Sequence, residues 1–244
     1  MHILITGASG LIGKPLIHAL EQRDYRISTL STRKRSAPVS TKIKTYHWSP
    51  SQGIFDEKAL DGVDTIISLA GAKINQRWTK KNRKAILDSR VKGTQLIQNA
   101  LKNNPNHNVT HFISASAIGL YPSDFDRTYK ESETKVANSF TGEVVAAWEQ
   151  QVDEIATLVR HVSKIRIGLV LAKSGGALVP LATPASFGLG AWFGSGKQWQ
   201  SWIHIQDLVK LVVFTLDHPG TYNGVSPNPV TLRCPNGCLV SLLL

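Results

Sequence analysis

The chain has 244 residues, with 28 Lys and Arg against 17 Asp and Glu, which gives a formal net charge of +11. This length can bury a sizeable core, and the 42% share of hydrophobic residues excludes a chain that is disordered throughout. No run of eighteen apolar residues is present, so no membrane span is expected, and the N-terminal MHILITGASG lacks the basic start of a secretory signal. The surplus of positive charge indicates an acidic partner without identifying it.

The cysteine content points to a reducing compartment. Cys234 and Cys238 are the only two cysteines, which is too few for a disulfide framework, so the cytoplasm is the expected location. They are also too few ligands for zinc, and no metal site is predicted.

Short apolar runs alternate along the chain with longer segments of helical periodicity. The predicted strands are Ile3–Thr6, Arg26–Leu30, Ile43–His47, Val63–Leu69, Val109–Ser114, Val162–Leu171 and Trp202–Ile205. The predicted helices are Leu11–Gln22, Trp78–Lys102, Ser139–Leu158 and Asp207–Leu216. This order predicts an α/β fold with a Rossmann-type, doubly wound parallel sheet. Gly175–Gly196 is rich in Gly, Pro and Ala and predicts a loop over a cleft, whereas Leu232–Leu244 fits neither pattern.

A glycine-rich turn joins the first strand to the first helix. In such a turn Gly7 permits the sharp bend, Gly10 admits a pyrophosphate, and Gly13 allows close packing of the helix on the sheet. The helix N-terminus adds free N–H groups and a positive dipole. The pattern predicts a dinucleotide site formed by Gly7, Ala8, Ser9, Gly10, Leu11, Ile12 and Gly13; the alternative is an ordinary strand-to-helix turn.

The end of the second strand indicates which dinucleotide is bound. An acidic residue there would bind the ribose 2′-hydroxyl of NAD, but residues 31–35 read STRKR and contain no carboxylate. Arginine can hold a 2′-phosphate through paired hydrogen bonds. NADP(H) is therefore the predicted cofactor, with Thr32 and Arg33 at the phosphate; the alternative is a solvated basic loop.

Several motifs occur in one fixed order. They are TGASGLIG at 6–13, SLAG at 68–71, DSR at 88–90, VKGT at 91–94, WE at 148–149, RIGLVL at 166–171, GGAL at 175–178, GSG at 194–196 and WIHI at 202–205. From residue 1 to about 231 the sequence resembles the extended short-chain dehydrogenase/reductase superfamily, specifically its atypical branch of epimerase-family proteins. The resemblance implies that Leu69, Ala70 and Gly71 pass the adenosine side of the cofactor, that Arg90 faces it, and that Val170 lies at its nicotinamide end.

The superfamily's usual catalytic pair, a Tyr followed four residues later by a Lys, is absent. None of the five tyrosines has a lysine at that distance, and Thr141 and Val145 stand where the pair would fall. Ser116, at the end of the fifth strand, matches the superfamily's catalytic serine, and Tyr121 could supply a phenol from another direction. Both are predicted catalytic residues; a capping serine and a packed aromatic are the alternatives.

The resemblance divides the chain at residue 171. Residues 1–171 would form the NADP-binding domain, and residues 172–244 would form part of a substrate-binding lobe, in which Lys197 could meet an acidic substrate. For His204 a satisfied polar residue is preferred over an acid–base role. Family members continue beyond the point where this chain reads LRCPNGCLVSLLL, so we expect a truncated lobe through a frameshift or premature stop, compensated by association as a homodimer or accompanied by lower stability.

The leading hypothesis is an NADP(H)-binding epimerase-like protein or oxidoreductase with a small-molecule substrate, for which the resemblance suggests a sugar nucleotide. The alternative is a non-catalytic NADP(H)-binding sensor or scaffold. Nucleic-acid binding through 33–35 and 77–84 is disfavoured, because these basic clusters carry no aromatic residue apart from Trp78 and no nucleic-acid motif.

Overall fold

A computed structural model describes residues 1–33, 43–173, 175–176 and 195–231. The strands are β1 (His2–Thr6), β2 (Arg26–Ser31), β3 (Lys44–Ser49), β4 (Ile54–Phe55), β5 (Thr65–Ser68), β6 (His111–Ala117), β7 (His161–Ile167), β8 (Leu169–Ala172), β9 (Gly175–Gly176), β10 (Trp199–Gln200), β11 (Trp202–His204), β12 (Thr221–Gly224) and β13 (Val230–Thr231). The helices are α1 (Gly13–Glu21), α2 (Lys80–Asn103), α3 (Phe140–Ile155) and α4 (Ile205–Phe214), with short 3-10 helices at Glu57–Leu60 and Ile118–Leu120.

Eight strands form the large sheet in the order β12-β7-β6-β5-β1-β2-β3-β4. All neighbours are parallel except β3 and β4. Every residue of β1 and β5 is buried, as expected for central parallel strands covered on both faces. The predicted mostly parallel α/β fold is confirmed.

Two apolar layers cover this sheet. Helices α2 and α3 bury Ile97 and Trp148 against one face, where Phe112 of β6 is fully buried. Helices α1 and α4 bury Leu16 and Leu208 against the other face. Side chains cap three of the helices, because Thr79, Ser139 and His204 accept hydrogen bonds from backbone N–H groups in the first turns of α2, α3 and α4. No helix that the structure describes is long and apolar enough to cross a membrane.

The predicted sixth strand, Val162–Leu171, is two strands in the structure. Strand β7 belongs to the large sheet, whereas β8 pairs with β11 and β9 in a separate three-stranded sheet. The break falls at Gly168, where a β carbon would lie 2.4 Å from the carbonyl oxygen of Ser201. The prediction of one continuous strand was wrong because this contact comes from a segment more than thirty residues further along the chain.

Two elements beyond residue 171 belong to the large sheet and its cover. Strand β12 pairs with β7, and α4 packs on the same face of the large sheet as α1. Short strands β10 and β13 pair with each other. Most of the predicted loop at 175–196, and the whole tail at 232–244 with Cys234 and Cys238, lie outside the described residues.

Candidate functional site

The glycine turn lies at the carboxyl end of β1, where the chain order of the sheet reverses between β2 and β5. Gly7 has a φ of +72°, and a β carbon there would lie 2.8 Å from the carbonyl carbon of Leu69. A β carbon on Gly13 would lie 2.4 Å from the carbonyl oxygen of Gly7. The turn is closed by the Gly10 N–H, which donates to the Gly7 carbonyl at 2.9 Å. Side chains at these positions would therefore displace the backbone.

The end of β5 is tied to this turn by the Thr6 hydroxyl. Its oxygen accepts hydrogen bonds from the N–H groups of Leu69 and Ala70, each at 3.0 Å. Residues 69–71 consequently run beside the glycine turn. Gly71 then passes Arg90, because a β carbon on Gly71 would lie 3.3 Å from the guanidinium carbon.

The exposed tip of the turn is formed by Ser9 and Gly10, with Leu11 and Ile12 partly buried behind them and Ala8 buried. Helix α1 begins here without a side-chain cap and without an acidic residue in its first turn. Its first N–H groups and its positive dipole are therefore not opposed by a local carboxylate.

Thr32 and Arg33 follow β2 directly and are exposed. The Arg33 N–H donates to the Ser31 hydroxyl at 3.1 Å, which fixes the backbone as it leaves the strand. The neighbouring Lys34 and Arg35 lie outside the described residues.

Arg90 projects from α2 towards the end of β5. Its Nη1 donates to the carbonyl oxygens of Ile86 at 3.0 Å and Ala72 at 3.3 Å, and its guanidinium carbon lies 5.2 Å from the centre of the Trp148 ring. Burial lowers the pKa of Arg90, yet arginine stays protonated in proteins. The side chain is thus a fixed cation beside residues 69–72.

Val170 lies in β8 opposite Ile203 of β11. The adjoining β9 returns towards the glycine turn, since a β carbon on Gly176 would lie 3.0 Å from the side chain of Leu11. Strands β8 and β9 thereby cover one side of the turn.

A cleft of about 350 Å³ opens where β6, β7 and α3 meet. It is lined by Ile74, Arg90, Ala117, Ile118, Gly119, Phe140, Thr141, Val144, Val145, Ile167, Gly168, Leu169, Trp199, Gln200 and Ser201. Arg90 is the one ionisable side chain among these described residues. Thr141 and Val145, which were predicted to stand where the catalytic pair would fall, both line the cleft.

Ser116 is buried, and its hydroxyl donates to Oε1 of Glu149 at 2.5 Å. Glu149 also accepts two hydrogen bonds from Arg166, from Nε and Nη2, each at 2.9 Å. Burial opposes the ionisation of Glu149, but the hydrogen bonds from Arg166 and Ser116 outweigh it and lower its pKa. The pKa of Arg166 is raised, chiefly by its hydrogen bond to Glu149. This carboxylate is therefore ionised and paired.

Tyr121 belongs to the same network. Its hydroxyl donates to Oδ1 of Asn223 at 2.6 Å and accepts from Nη1 of Arg166 at 2.8 Å. The ring stacks on Tyr129, with ring centres 5.3 Å apart. The two predicted catalytic hydroxyls are thus linked through Glu149 and Arg166, and neither side chain lines the cleft.

Sequence reasoning missed Glu149, Arg166 and Asn223. The first two stand in motifs that carry the resemblance, and a charged residue between apolar neighbours of a predicted helix or strand is a signal of buried pairing. His204 caps α4, since its Nδ1 accepts from the Gln206 N–H at 3.3 Å. Lys197 is exposed. Neither residue lines the cleft.

The parallel sheet, its switch point and the glycine turn define a Rossmann-type protein of the short-chain dehydrogenase/reductase kind. The family model for the NAD dependent epimerase/dehydratase family matches residues 3–162. An epimerase family protein of Staphylococcus saprophyticus is 38% identical over 229 residues, which cover 93% of this chain and 75% of the relative. The chain therefore belongs to the NAD dependent epimerase/dehydratase family.

Solved structures with this fold include two of related proteins. The human epimerase family protein SDR39U1, solved with NADPH, has a TM-score of 0.80 and 28% identity over 95% of this chain and 76% of its own. A nucleoside-diphosphate sugar epimerase from Corynebacterium glutamicum has a TM-score of 0.82 and 29% identity, and the match covers all of this chain and 49% of that one.

Proposed function

We propose that this protein binds NADP(H) in the glycine turn and presents the nicotinamide end to the cleft beside Arg90. The observation that carries the proposal is the cradle itself, in which the positions of Gly7 and Gly13 leave no room for a side chain. The carboxylate-free end of β2 favours a 2′-phosphate, and the human relative was solved with NADPH.

Each part of the cofactor would meet a different set of these residues. Free N–H groups at the start of α1 would hold the pyrophosphate, Thr32 and Arg33 the 2′-phosphate, and residues 69–71 the adenosine side. Val170 and Arg90 would flank the nicotinamide end. When bound, the cofactor supplies a hydride donor or acceptor, and the protein orients it and excludes water.

The proposed partner is a small-molecule substrate, with a sugar nucleotide as the class that the C. glutamicum relative suggests. Residues 172–244 are proposed to contribute the substrate lobe. Ser116 and Tyr121 stay the predicted catalytic residues, although each hydroxyl donates within the Glu149–Arg166 network and would have to exchange that partner for substrate.

The lining of the cleft favours a second candidate, cofactor binding without turnover. Thr141 and Val145 replace the acid–base pair, and the cation of Arg90 gives up no proton at neutral pH. A protein of this kind would act as an NADP(H) sensor or scaffold.

Calorimetric titration tests the cofactor. We expect wild-type protein to bind NADPH more tightly than NADH, and Arg33→Ala to weaken NADPH binding by about tenfold or more without changing NADH binding, because only NADPH carries the 2′-phosphate. Arg26→Ala, an exposed arginine at the opposite end of β2, is the matched control and should bind both cofactors as wild type does. Equal affinities of wild type for the two cofactors would refute the assignment.

A sugar-nucleotide panel then separates the two candidates. With NADP⁺ and with NADPH, either a net change in nicotinamide absorbance or conversion of a panel member to another sugar, followed by chromatography because an epimerase regenerates its cofactor, supports an enzyme. Absence of both signals at saturating cofactor supports the sensor.

A further inference from the structure

The segment at 72–84 forms a cationic lip on the cleft. It contains six basic residues and no acidic one: Lys73, Arg77, Lys80, Lys81, Arg83 and Lys84. All six are exposed. Among the described residues only Lys84 of this set has a carboxylate within ion-pair distance, Asp88 at 3.1 Å. The lip therefore carries unneutralised positive charge.

Aromatic and aliphatic side chains join this lip to the cleft. Ile74 lines the cleft directly, and Phe140 lines it from α3. The Trp78 ring packs edge-on against Phe140 with centres 5.2 Å apart, and the guanidinium carbon of Arg83 lies 4.9 Å from the centre of the Phe140 ring. The lip is thus continuous with the cleft wall.

Two of these apolar side chains remain partly open to solvent. Ile74 and Trp78 are 43% and 42% exposed. The indole N–H of Trp78 donates to the carbonyl of Ile74 at 3.1 Å, which fixes the two residues together. A purely solvated helix face does not explain fixed apolar side chains set among the cations at the mouth of a cleft.

The interior of the cleft has the opposite character. Most of its described lining is aliphatic, aromatic or glycine, and Thr141, Gln200 and Ser201 are its only uncharged polar side chains. Such a surface favours an apolar body over a sugar ring, whose hydroxyls would be desolvated without enough partners.

We propose that the substrate is an elongated molecule that places an apolar body, carrying its reacting carbonyl or carbinol carbon, in the cleft and a phosphate-bearing end on the cationic lip. This inference rests on the proposed function, since it concerns the substrate of the same site. A sugar nucleotide would place a sugar ring beside the nicotinamide, whereas this substrate would place an apolar body there.

Titration of the NADP⁺-loaded protein with five probes tests both ends: geranyl diphosphate, geraniol, inorganic diphosphate, UDP-glucose and a single-stranded oligonucleotide. We expect geranyl diphosphate to bind at least tenfold more tightly than any other probe. The lip variant Arg77→Gln/Lys80→Gln/Lys81→Gln should lose about tenfold in affinity for both diphosphates and keep its affinity for geraniol, because three exposed charges are removed. Ile74→Asn should weaken geranyl diphosphate and geraniol binding and spare inorganic diphosphate.

The matched control is Lys58→Gln/Lys102→Gln/Arg160→Gln, which removes three exposed charges away from the cleft and has the same net charge as the lip variant. It should bind all probes as wild type does. Equal losses in the two triple variants would show a general charge effect and overturn the proposal, as would UDP-glucose binding more tightly than geranyl diphosphate. Preferential binding of a single-stranded oligonucleotide would overturn it in favour of nucleic acid. Wild type that fails to bind NADPH refutes the proposed function, whereas NADPH binding without geranyl diphosphate binding refutes this inference alone.

Discussion

Glu149 and Arg166 form a buried ion pair at the centre of the polar network. Their side chains are 8% and 7% exposed. Removing two charges from water is costly, and the pair offsets that cost through two parallel hydrogen bonds and further bonds to Ser116 and Tyr121. The network joins β6, β7, α3 and β12, so it fixes the ends of three strands beside the cleft.

Breaking this pair should be more costly than breaking an exposed one. Glu149→Gln keeps the shape but leaves the guanidinium of Arg166 buried without its counter-charge, so we expect a loss of about 3 kcal/mol in the free energy of unfolding, measured by urea denaturation. Asp207→Asn is the control for an exposed pair, because Asp207 and its partner Lys210, 3.2 Å apart, are 62% and 77% exposed. It should cost less than about 1 kcal/mol. Equal losses of unfolding free energy in the two variants would contradict the expectation that Glu149→Gln leaves the charge of Arg166 buried and uncompensated.

At the scale of elements, the junction between β7 and β8 shapes the cleft. Gly168 donates its N–H to the carbonyl of Gly224 at 3.1 Å, and Leu169 donates to that of Ser201 at 2.8 Å. The chain thus leaves one sheet and enters another within two residues. Both Gly168 and Ser201 line the cleft, so the switch of sheets forms part of its wall.

Adding a β carbon at this junction should separate the strands. In Gly168→Ala the new atom would lie 2.4 Å from the Ser201 oxygen and 2.8 Å from a methyl group of Val225, so we expect a loss of about 1–3 kcal/mol in the free energy of unfolding. Faster amide exchange at Leu169 and Trp202 should localise the effect. Gly93→Ala in α2 is the control, because its β carbon would lie an ordinary 3.6 Å from Trp48. Gly93→Ala should be neutral or stabilising by up to about 1 kcal/mol. If Gly168→Ala unfolds with the same free energy as wild type, the close contact with Ser201 is not what requires a glycine at this junction.

At the scale of the whole molecule, the sheet sets the position of the site. Parallel strands direct their carboxyl ends to one edge, so the glycine turn after β1, residues 69–71 after β5 and the ends of β6 and β7 meet there. The helices on both faces provide the core that holds this edge rigid.

The stability of this core should depend on pH through His111. Burial, and secondarily the charge of His161, lowers the pKa of His111 from its usual 6.5 to about 4. The unfolded chain therefore binds a proton more readily, and the free energy of unfolding should fall as pH decreases from about 6.5 to about 4. Urea unfolding at several pH values should show that the free energy of unfolding falls less steeply with decreasing pH in His111→Gln than in wild type. The exposed His18→Gln should keep the wild-type profile, and an identical profile in His111→Gln would exclude this origin.

Local patterns in the sequence were sufficient for the parts of the fold that depend on neighbouring residues. The apolar runs predict the central strands, and periodicity predicts the four α-helices of the part of the chain that the structure describes. The glycine turn is recognisable because its three glycines and the flanking strand and helix lie within the first twenty-one residues. The same local reading misplaced the end of β7 and missed β12, whose residues pair with a strand more than fifty positions earlier.

By itself, the sequence determined the class of fold, the turn for the dinucleotide and the absence of the Tyr and Lys pair. Only the tertiary structure decided that Ser116, Glu149, Arg166 and Tyr121 form one network and that the basic segment at 72–84 borders an apolar cleft. The physical reason is separation along the chain: hydrogen bonds between Tyr121 and Asn223, or a ring contact between Trp78 and Phe140, leave no periodic pattern in the sequence. They arise only when the parallel sheet brings distant segments to the same edge.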